Sequence, residues 1–240
     1  MRFVVVMIAC FWPGLALANE KVEPKRVAVV VGISRPSSQF EPVPNAHESA
    51  AALVETLGST AGYDDVRALI GPVASAATVL DTVRSAIDDI DQGGFLLFVF
   101  VGHGVGGDFG EPALMTHGAT VRDPLQTGLD VAELSQALRP THSEQEILIV
   151  VDATQSGSVE GVALVGPRAS EWPTTDTTGL IVITPATTAA NVAHADLVTV
   201  LNEALSGDAD VDGDGFTRMT ELFRWVSASM ADRAASMFSS

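Results

Sequence analysis

The chain has 240 residues, of which 47% are hydrophobic and 18% are charged, and this composition suits one globular α/β domain with a substantial core. Its 30 acidic residues against 13 basic ones give a net charge of −17. This excess argues against nucleic acid and anionic membranes as partners, because phosphates are neutralised by Lys and Arg. The acidity suits cation binding, and it suits solubility alone equally well.

Residues 1–18 predict an export signal peptide. Arg2 forms a minimal positive region, 3–11 form an apolar run too short for a membrane span, and 16–18 read Ala-Leu-Ala, a cleavage site. Cys10 lies too early for the lipoprotein anchor that its neighbours loosely resemble. Cleavage leaves 12 of the 13 basic residues against 30 acidic ones, a net charge of −18, and removes the only cysteine. We therefore expect a periplasmic or secreted protein without a disulfide or a thiol nucleophile.

The rest of the chain alternates buried apolar runs with helical patterns. Asn45 with Glu48, and Asp130 with Glu133, have the spacing of helix capping boxes. The alternation predicts a single three-layer α/β domain over 26–236, with about six mainly parallel strands and helices on both faces. The predicted strands are 26–33, 66–70, 95–101, 147–151 and 179–184, and the predicted helices begin at 45, 78, 130, about 194 and about 220.

Two predicted strands end in residues that can carry chemistry. The run 147–151 leads into Asp152, Thr154 and Ser156, and the run 95–101 leads into Gly-His-Gly with His103 at its centre. In open α/β sheets, sites collect beyond the carboxyl ends of such strands. The second segment also matches the Gly pattern of dinucleotide-binding loops. That pattern requires a helix immediately afterwards, and the following Asp-Phe-Gly-Glu-Pro cannot begin one promptly.

A late acidic stretch has the spacing of an EF-hand calcium loop. Asp210, Asp212 and Asp214 stand at positions 1, 3 and 5, where carboxylates wrap one side of a hard cation. A glycine at position 6 permits the sharp turn, and Phe216 at position 7 offers its backbone carbonyl. Glu221 at position 12 closes the shell with both oxygens. Mg²⁺ is disfavoured because it resists a flexible cage made only of protein ligands.

Two residues of this loop depart from the pattern. Thr217 replaces the usual branched aliphatic residue at position 8, and Arg218 at position 9 cannot ligate through its side chain. The chain also shows no second hand to pair with the first. A solvated acidic turn is the alternative, but we expect one calcium ion across 210–221, holding the last two helices together in a structural role.

Taken in order, several segments resemble the bacterial members of the caspase-like peptidase family, which are related to metacaspases and are sometimes called orthocaspases. This chain has counterparts of five segments of that family: the opening strand, the start of the first helix, the histidine segment, the nucleophile segment and the Asp-rich tail. The matching segments are 26–33, 44–50, 102–104, 151–157 and 210–225.

The resemblance implies a caspase-like fold and a Cys/His dyad. His103 stands at the dyad histidine, and Asp152 stands where the family forms a pocket for a basic substrate residue. Thr154 occupies the position of the cysteine nucleophile, and Gln155 replaces the histidine that follows it. A hydroxyl lacks the thiolate fraction and the intrinsic nucleophilicity of a thiol, so it needs a closely held base that a third group orients. No Asp or Asn that would orient His103 is identifiable in the sequence.

These observations favour a secreted, catalytically inactive caspase-like protein with one calcium site, which engages a peptide or protein partner carrying basic residues. One alternative is an active hydrolase specific for basic residues, using Thr154 or Ser156 with His103. Another is a calcium-stabilised structural module without a ligand pocket. At single residues, His103 has the alternative of a packing role without catalytic duty, and Asp152 that of a strand-end carboxylate satisfied by backbone N–H groups.

Overall fold

Among the described residues, a five-stranded, entirely parallel sheet forms the centre of the computed structural model, with the strands in the spatial order 180–183, 146–153, 95–102, 26–32 and 65–70. The structure describes residues 24–106, 111–142, 144–153, 158–159, 162–163, 180–183 and 196–238. The predicted signal peptide, with Cys10, lies outside these residues. The sheet strands are β1 (Arg26–Gly32), β2 (Asp65–Ile70), β3 (Phe95–Gly102), β7 (Glu146–Ala153) and β10 (Leu180–Ile183).

Helices cover both faces of this sheet. On one face, α2 (Ala76–Asp89) and α4 (Val131–Ala137) pack over Phe98 and Phe100 of β3. On the other face, α1 (Ala46–Ser59), α5 (Asp196–Glu203) and α6 (Met219–Phe238) pack over Leu97 and Val99 of the same strand. Because β3 is buried on both sides, its sequence is continuously apolar rather than alternating. The predicted three-layer α/β class is confirmed.

The described residues also form several short elements that were not predicted from the sequence. A three-stranded antiparallel sheet contains β4 (Gly104–Val105), β5 (Ala113–Leu114) and β6 (Leu129–Asp130). A two-stranded ribbon pairs β8 (Ser158–Val159) with β9 (Val162–Ala163). The remaining short elements are α3 (Pro124–Thr127), a 3₁₀ turn (Gly71–Val73) and a π-helical turn (Ala204–Asp208). In the described residues, every helix falls short of the length and apolar character required to cross a membrane.

The helix starts agree only in part with the predicted capping boxes. The Asp130 carboxylate accepts a hydrogen bond from the Ala132 amide at 2.7 Å, as an N-cap should. Asn45 precedes α1 but makes no capping bond, and it adopts a left-handed conformation with φ of 56° instead of the extended conformation of an N-cap. The second helix begins two residues earlier than predicted, with Ser75 as its cap.

Candidate functional site

The two predicted site strands are neighbours, and their carboxyl ends lie side by side. In the parallel pairing of β3 with β7, Val101 is opposite Asp152 and Gly102 is opposite Ala153. His103 follows the last residue of β3 directly, and Thr154 follows the last residue of β7 in the sequence. The pairing therefore brings the backbones that carry the predicted histidine and the predicted carboxylate to one edge of the sheet.

His103 is completely buried and is held through both its ring and its backbone. Its Nε2 lies 2.7 Å from the carbonyl oxygen of Glu41, and its ring packs on Phe40 with centroids 5.1 Å apart and planes inclined by 46°. The Met115 amide donates to the His103 carbonyl at 2.9 Å. A loop before α1 and the start of a second small sheet thus position this side chain.

The Glu41 contact has a chemical consequence for the imidazole ring. A carbonyl oxygen can only accept a hydrogen bond, so Nε2 must carry the proton. In the neutral ring the lone pair then resides on Nδ1, which is the nitrogen that can act as a base. An acceptor on one ring nitrogen is the usual way in which proteins fix the tautomer of a histidine that functions through the other nitrogen.

Glu41 contributes through its backbone, and the loop that carries it is firmly attached to the fold. The Val43 amide donates to the Ser34 carbonyl at 2.7 Å, and the Ser34 hydroxyl donates to the Val43 carbonyl at 2.9 Å. Phe40 and Val43 are both buried. This partner could not be predicted from the sequence, where only an orienting Asp or Asn side chain would be recognisable, because a backbone carbonyl leaves no signature in residue type.

Asp152 lies at the end of β7 and is 1% exposed. Its Oδ2 accepts a hydrogen bond of 3.2 Å from the amide of Val198. Val198 is the third residue of α5, so its N–H belongs to the first turn, where no helical carbonyl is within reach. The carboxylate therefore ties the sheet edge to a helix start through one oxygen, and its role in a substrate pocket stays a prediction.

Thr154 and Ser156, the two candidate nucleophiles, lie outside the described residues. Their relation to His103 is therefore a prediction that follows from sequence order and from the pairing of the two strands. The described part of the site consists of a buried, oriented imidazole and a buried carboxylate at adjacent strand ends.

The predicted calcium loop forms a compact cluster of carboxylates. Asp210, Asp212 and Asp214 each present an oxygen within 4.8 Å of the others. Asp210 also organises the loop backbone, since its Oδ1 and Oδ2 accept from the amides of Gly213 and Gly215, each at 2.8 Å. Gly215 at position 6 has a φ of 85°, which a residue with a Cβ atom rarely adopts.

The other two predicted ligands differ in how they are presented. Phe216 has a side chain that is 68% exposed, and its amide donates to Asp214 Oδ1 at 2.9 Å. Glu221 lies in the first turn of α6, and its Oε2 accepts from the amide of Arg218 at 2.9 Å. It caps its own helix and, among the described residues, does not join the cluster of three aspartates.

Arg218 supplies the positive charge of the loop. Its guanidinium donates to Asp212 Oδ2 at 2.9 Å and also to Asp214. The Phe216 amide, followed by the Arg218 guanidinium, holds the pKa of Asp214 below its usual value of 3.8. Arg218, which cannot ligate a cation through its side chain, thus neutralises the same carboxylates that a cation would.

The fold and site together define a three-layer α/β domain with an oriented histidine at a strand end and a separate acidic loop. No family model and no curated protein matches the chain. One similar solved structure is that of protein GSU0716 from Geobacter sulfurreducens, with 18% sequence identity and a TM-score of 0.47. The similarity covers 57% of this chain and 53% of that chain, so it spans about half the length of each protein.

Proposed function

We propose that this chain is an exported, catalytically inactive member of the caspase-like peptidase family, with one calcium site and a peptide or protein partner that carries basic residues. The proposal rests on the ordered sequence segments and on the geometry of the sheet edge. Thr154 stands in place of the family's cysteine nucleophile, and the adjacent carboxyl ends of β3 and β7 support the proposal that this edge descends from a peptidase site.

The observation that carries the proposal is the orientation of His103. The imidazole of His103 is buried, and its Nε2–H donates to the Glu41 carbonyl, so the ring is held in one orientation. It stands one residue beyond β3, next to the strand that leads into Thr154. A buried histidine of any role needs a partner for its ring N–H, so it is the held ring together with its position beside β7 that favours descent from a catalytic dyad.

Restoring the cysteine nucleophile tests this proposal. We expect the double variant Thr154→Cys with Gln155→His to gain cleavage of peptides containing Arg or Lys, and we expect His103→Ala added to that variant to abolish the gain. The matched control is Ser156→Cys, which adds a thiol to the same segment at a position that does not match the family's nucleophile. A folded double variant with no cleavage, or equal cleavage by the control, would contradict the proposal.

The active hydrolase is the second candidate, and the same tautomer favours it. A neutral imidazole with its lone pair on Nδ1 is the base that a threonine or serine hydroxyl would require. If this candidate is correct, the unmodified protein cleaves peptides at basic residues. His103→Ala alone should abolish the cleavage, and so should one of the two single variants Thr154→Ala and Ser156→Ala, whichever removes the nucleophile. Absence of turnover in the unmodified protein, combined with the gain described above, selects the inactive form.

Calcium is the cation that we propose for 210–221. The three convergent aspartates support a cation of some kind, and the preference for calcium comes from the spacing of the loop and from its oxygen ligands. To bind the ion through Asp212 and Asp214, the loop must release the Arg218 guanidinium, and Glu221 must turn from its helix cap toward the aspartates. Calcium would then supply positive charge that links the loop to the start of α6.

A further inference from the structure

A cavity of 530 Å³ opens at the edge of the sheet opposite to His103 and Asp152. It lies where the central strands begin, between the end of α1 and the segment that joins α5 to α6. Its volume falls within the range of about 300–1,000 Å³ that is typical of sites for small ligands. Its apolar floor consists of side chains that are almost entirely buried, namely Leu97, Leu148, Leu201 and Leu222.

One wall of the cavity is a row of three side chains from adjacent strands. Arg26, Phe95 and Glu146 are register partners at the first positions of β1, β3 and β7. Register partners in a parallel sheet face the same way, and Phe95 packs against the core below α5 and α6. A cation and a carboxylate therefore flank a phenyl ring, with Cα atoms two strand spacings apart, about 10 Å.

The cationic end of the row is preorganised. The Arg26 guanidinium lies over the ring of Tyr63, 5.7 Å from its centroid, which restrains the side chain. The nearby Asp64 carboxylate accepts from the Arg26 backbone amide at 2.7 Å rather than from the guanidinium. Within the described residues no carboxylate forms an ion pair with this guanidinium. Arg26 can therefore receive an external carboxylate through two parallel hydrogen bonds.

The acidic end of the row is also available to a ligand. Glu146 is exposed and forms no ion pair with any described cation. Asp210, the other carboxylate in the lining, is already satisfied by amides of its own loop. The cavity thus presents one available positive group and one available negative group, separated by an apolar surface.

We propose that this cavity binds a short apolar peptide with free termini, about three residues long. An extended chain spans roughly 3.3–3.6 Å per residue, so three residues cover about 10 Å, the separation of the two charged positions. The terminal carboxylate meets Arg26, the terminal ammonium meets Glu146, and the side chains contact the leucine floor. The net charge of −17 disfavours a ligand that is only anionic, such as a fatty acid. This site is separate from the sheet edge that carries His103, but it shares Asp210 and Phe216 of its lining with the loop proposed to bind calcium.

Calorimetric titration of the purified full chain with trileucine and its capped forms tests the proposal. We expect amidation of the peptide's carboxyl end to weaken binding on the order of tenfold in the unmodified protein and to have no effect in Arg26→Gln. Acetylation of the amino end should weaken binding similarly and should have no effect in Glu146→Gln. These exposed substitutions leave the core intact.

Arg84→Gln and Glu133→Gln are the matched controls, because this exposed ion pair joins α2 to α4 on the other face of the sheet. Both controls should retain the full penalty for capping either terminus. Three results would overturn the proposal: no binding of free trileucine at millimolar concentration, equal binding of free and capped peptides, or octanoate binding at least as tightly as the peptide through Arg26 alone.

Discussion

At the residue scale, the ring of His103 is oriented by the backbone, and not the side chain, of Glu41. The Nε2–H of His103 donates a hydrogen bond to the carbonyl of Glu41, whose side chain is exposed. Any residue that keeps the loop conformation can provide the same oxygen. This explains why no acidic or amide partner of the histidine is recognisable in the sequence.

We expect His103→Ala to lower the free energy of unfolding by roughly 2–4 kcal/mol, because it removes a buried ring and leaves the Glu41 carbonyl without its donor. Glu41→Ala should change the free energy of unfolding by less than about 0.5 kcal/mol, since it alters an exposed side chain and retains the carbonyl. Urea denaturation of both variants checks this. A loss of similar size in Glu41→Ala would show that its side chain, not its backbone, supports the histidine.

A pH-dependent contribution to stability is expected where β2 meets α2. A hydrogen bond from Arg67 holds the pKa of Asp89 below its usual value of 3.8, and the same guanidinium pairs with Asp65 at 2.8 Å. A depressed pKa means that the native state binds the proton less readily than the unfolded state does. The contribution is therefore complete above pH 3.8 and disappears as the pH falls through the lower native value.

Asp89→Asn should remove this contribution, so the variant should be less stable than the unmodified protein at pH 7, and the difference should shrink near pH 2. Urea denaturation at the two pH values provides the measurement. Asp81→Asn is the control, because Asp81 lies on the same helix with a side chain that is 80% exposed. A difference for Asp89→Asn that is constant across the pH range would contradict the assignment to Asp89 ionisation.

At the element scale, the two predicted capping boxes differ in a way that local sequence cannot reveal. Asp130 caps α4 through a 2.7 Å bond, whereas Asn45 precedes α1 with a φ of 56° and forms no such bond. Asp130 has the extended backbone of an N-cap, with φ of −62° and ψ of 126°, whereas the backbone of Asn45 is left-handed. Tertiary structure thus overrides the preference of Asn for the capping conformation.

We expect Asp130→Ala to destabilise the protein by about 1 kcal/mol through loss of the cap. Asn45→Gly should be neutral or slightly stabilising, because glycine adopts a positive φ without strain, whereas Asn45→Ala should cost about 1 kcal/mol in backbone strain. Thermal and urea denaturation of the three variants provide the test. If Asn45→Gly and Asn45→Ala destabilised equally, the Asn45 side chain, rather than its backbone conformation, would be the cause.

Some of these elements could be predicted from the sequence, and others could not. The strands β1, β3 and β7 were predictable because burial on both faces requires continuous runs of apolar residues, such as 26–33 and 95–101. The wall of Arg26, Phe95 and Glu146 was not predictable. It depends on the register between strands that are distant in sequence, and the individual residues carry no motif. Similarly, no local pattern indicated that Glu221 would cap α6 instead of joining the aspartates.

At the scale of the whole molecule, negative charge is the main unfavourable electrostatic feature of the fold. With 30 acidic and 13 basic residues, the compact chain repels itself, and the clustered aspartates of 210–214 concentrate that repulsion. The Arg218 guanidinium offsets this repulsion locally through its hydrogen bonds to Asp212 and Asp214. Dissolved salt should relieve it generally, so sodium chloride alone is expected to raise the melting temperature. Specific calcium binding must therefore be separated from simple screening.

If 210–221 binds calcium, the ion should stabilise the protein beyond an equal ionic strength of sodium chloride, by about 2.7 kcal/mol when calcium is present at 100 times its dissociation constant. Asp210→Ala with Glu221→Ala should lose this excess, and only the screening effect should remain. Arg218→Gln should bind calcium more tightly than the unmodified protein, because the ion no longer competes with a guanidinium for Asp212 and Asp214. Arg224→Gln, which loses the same charge at an exposed position of α6, is the matched control. Calcium titration followed by thermal denaturation distinguishes these cases. Equal shifts of the melting temperature in calcium and in sodium chloride would contradict a calcium site at 210–221.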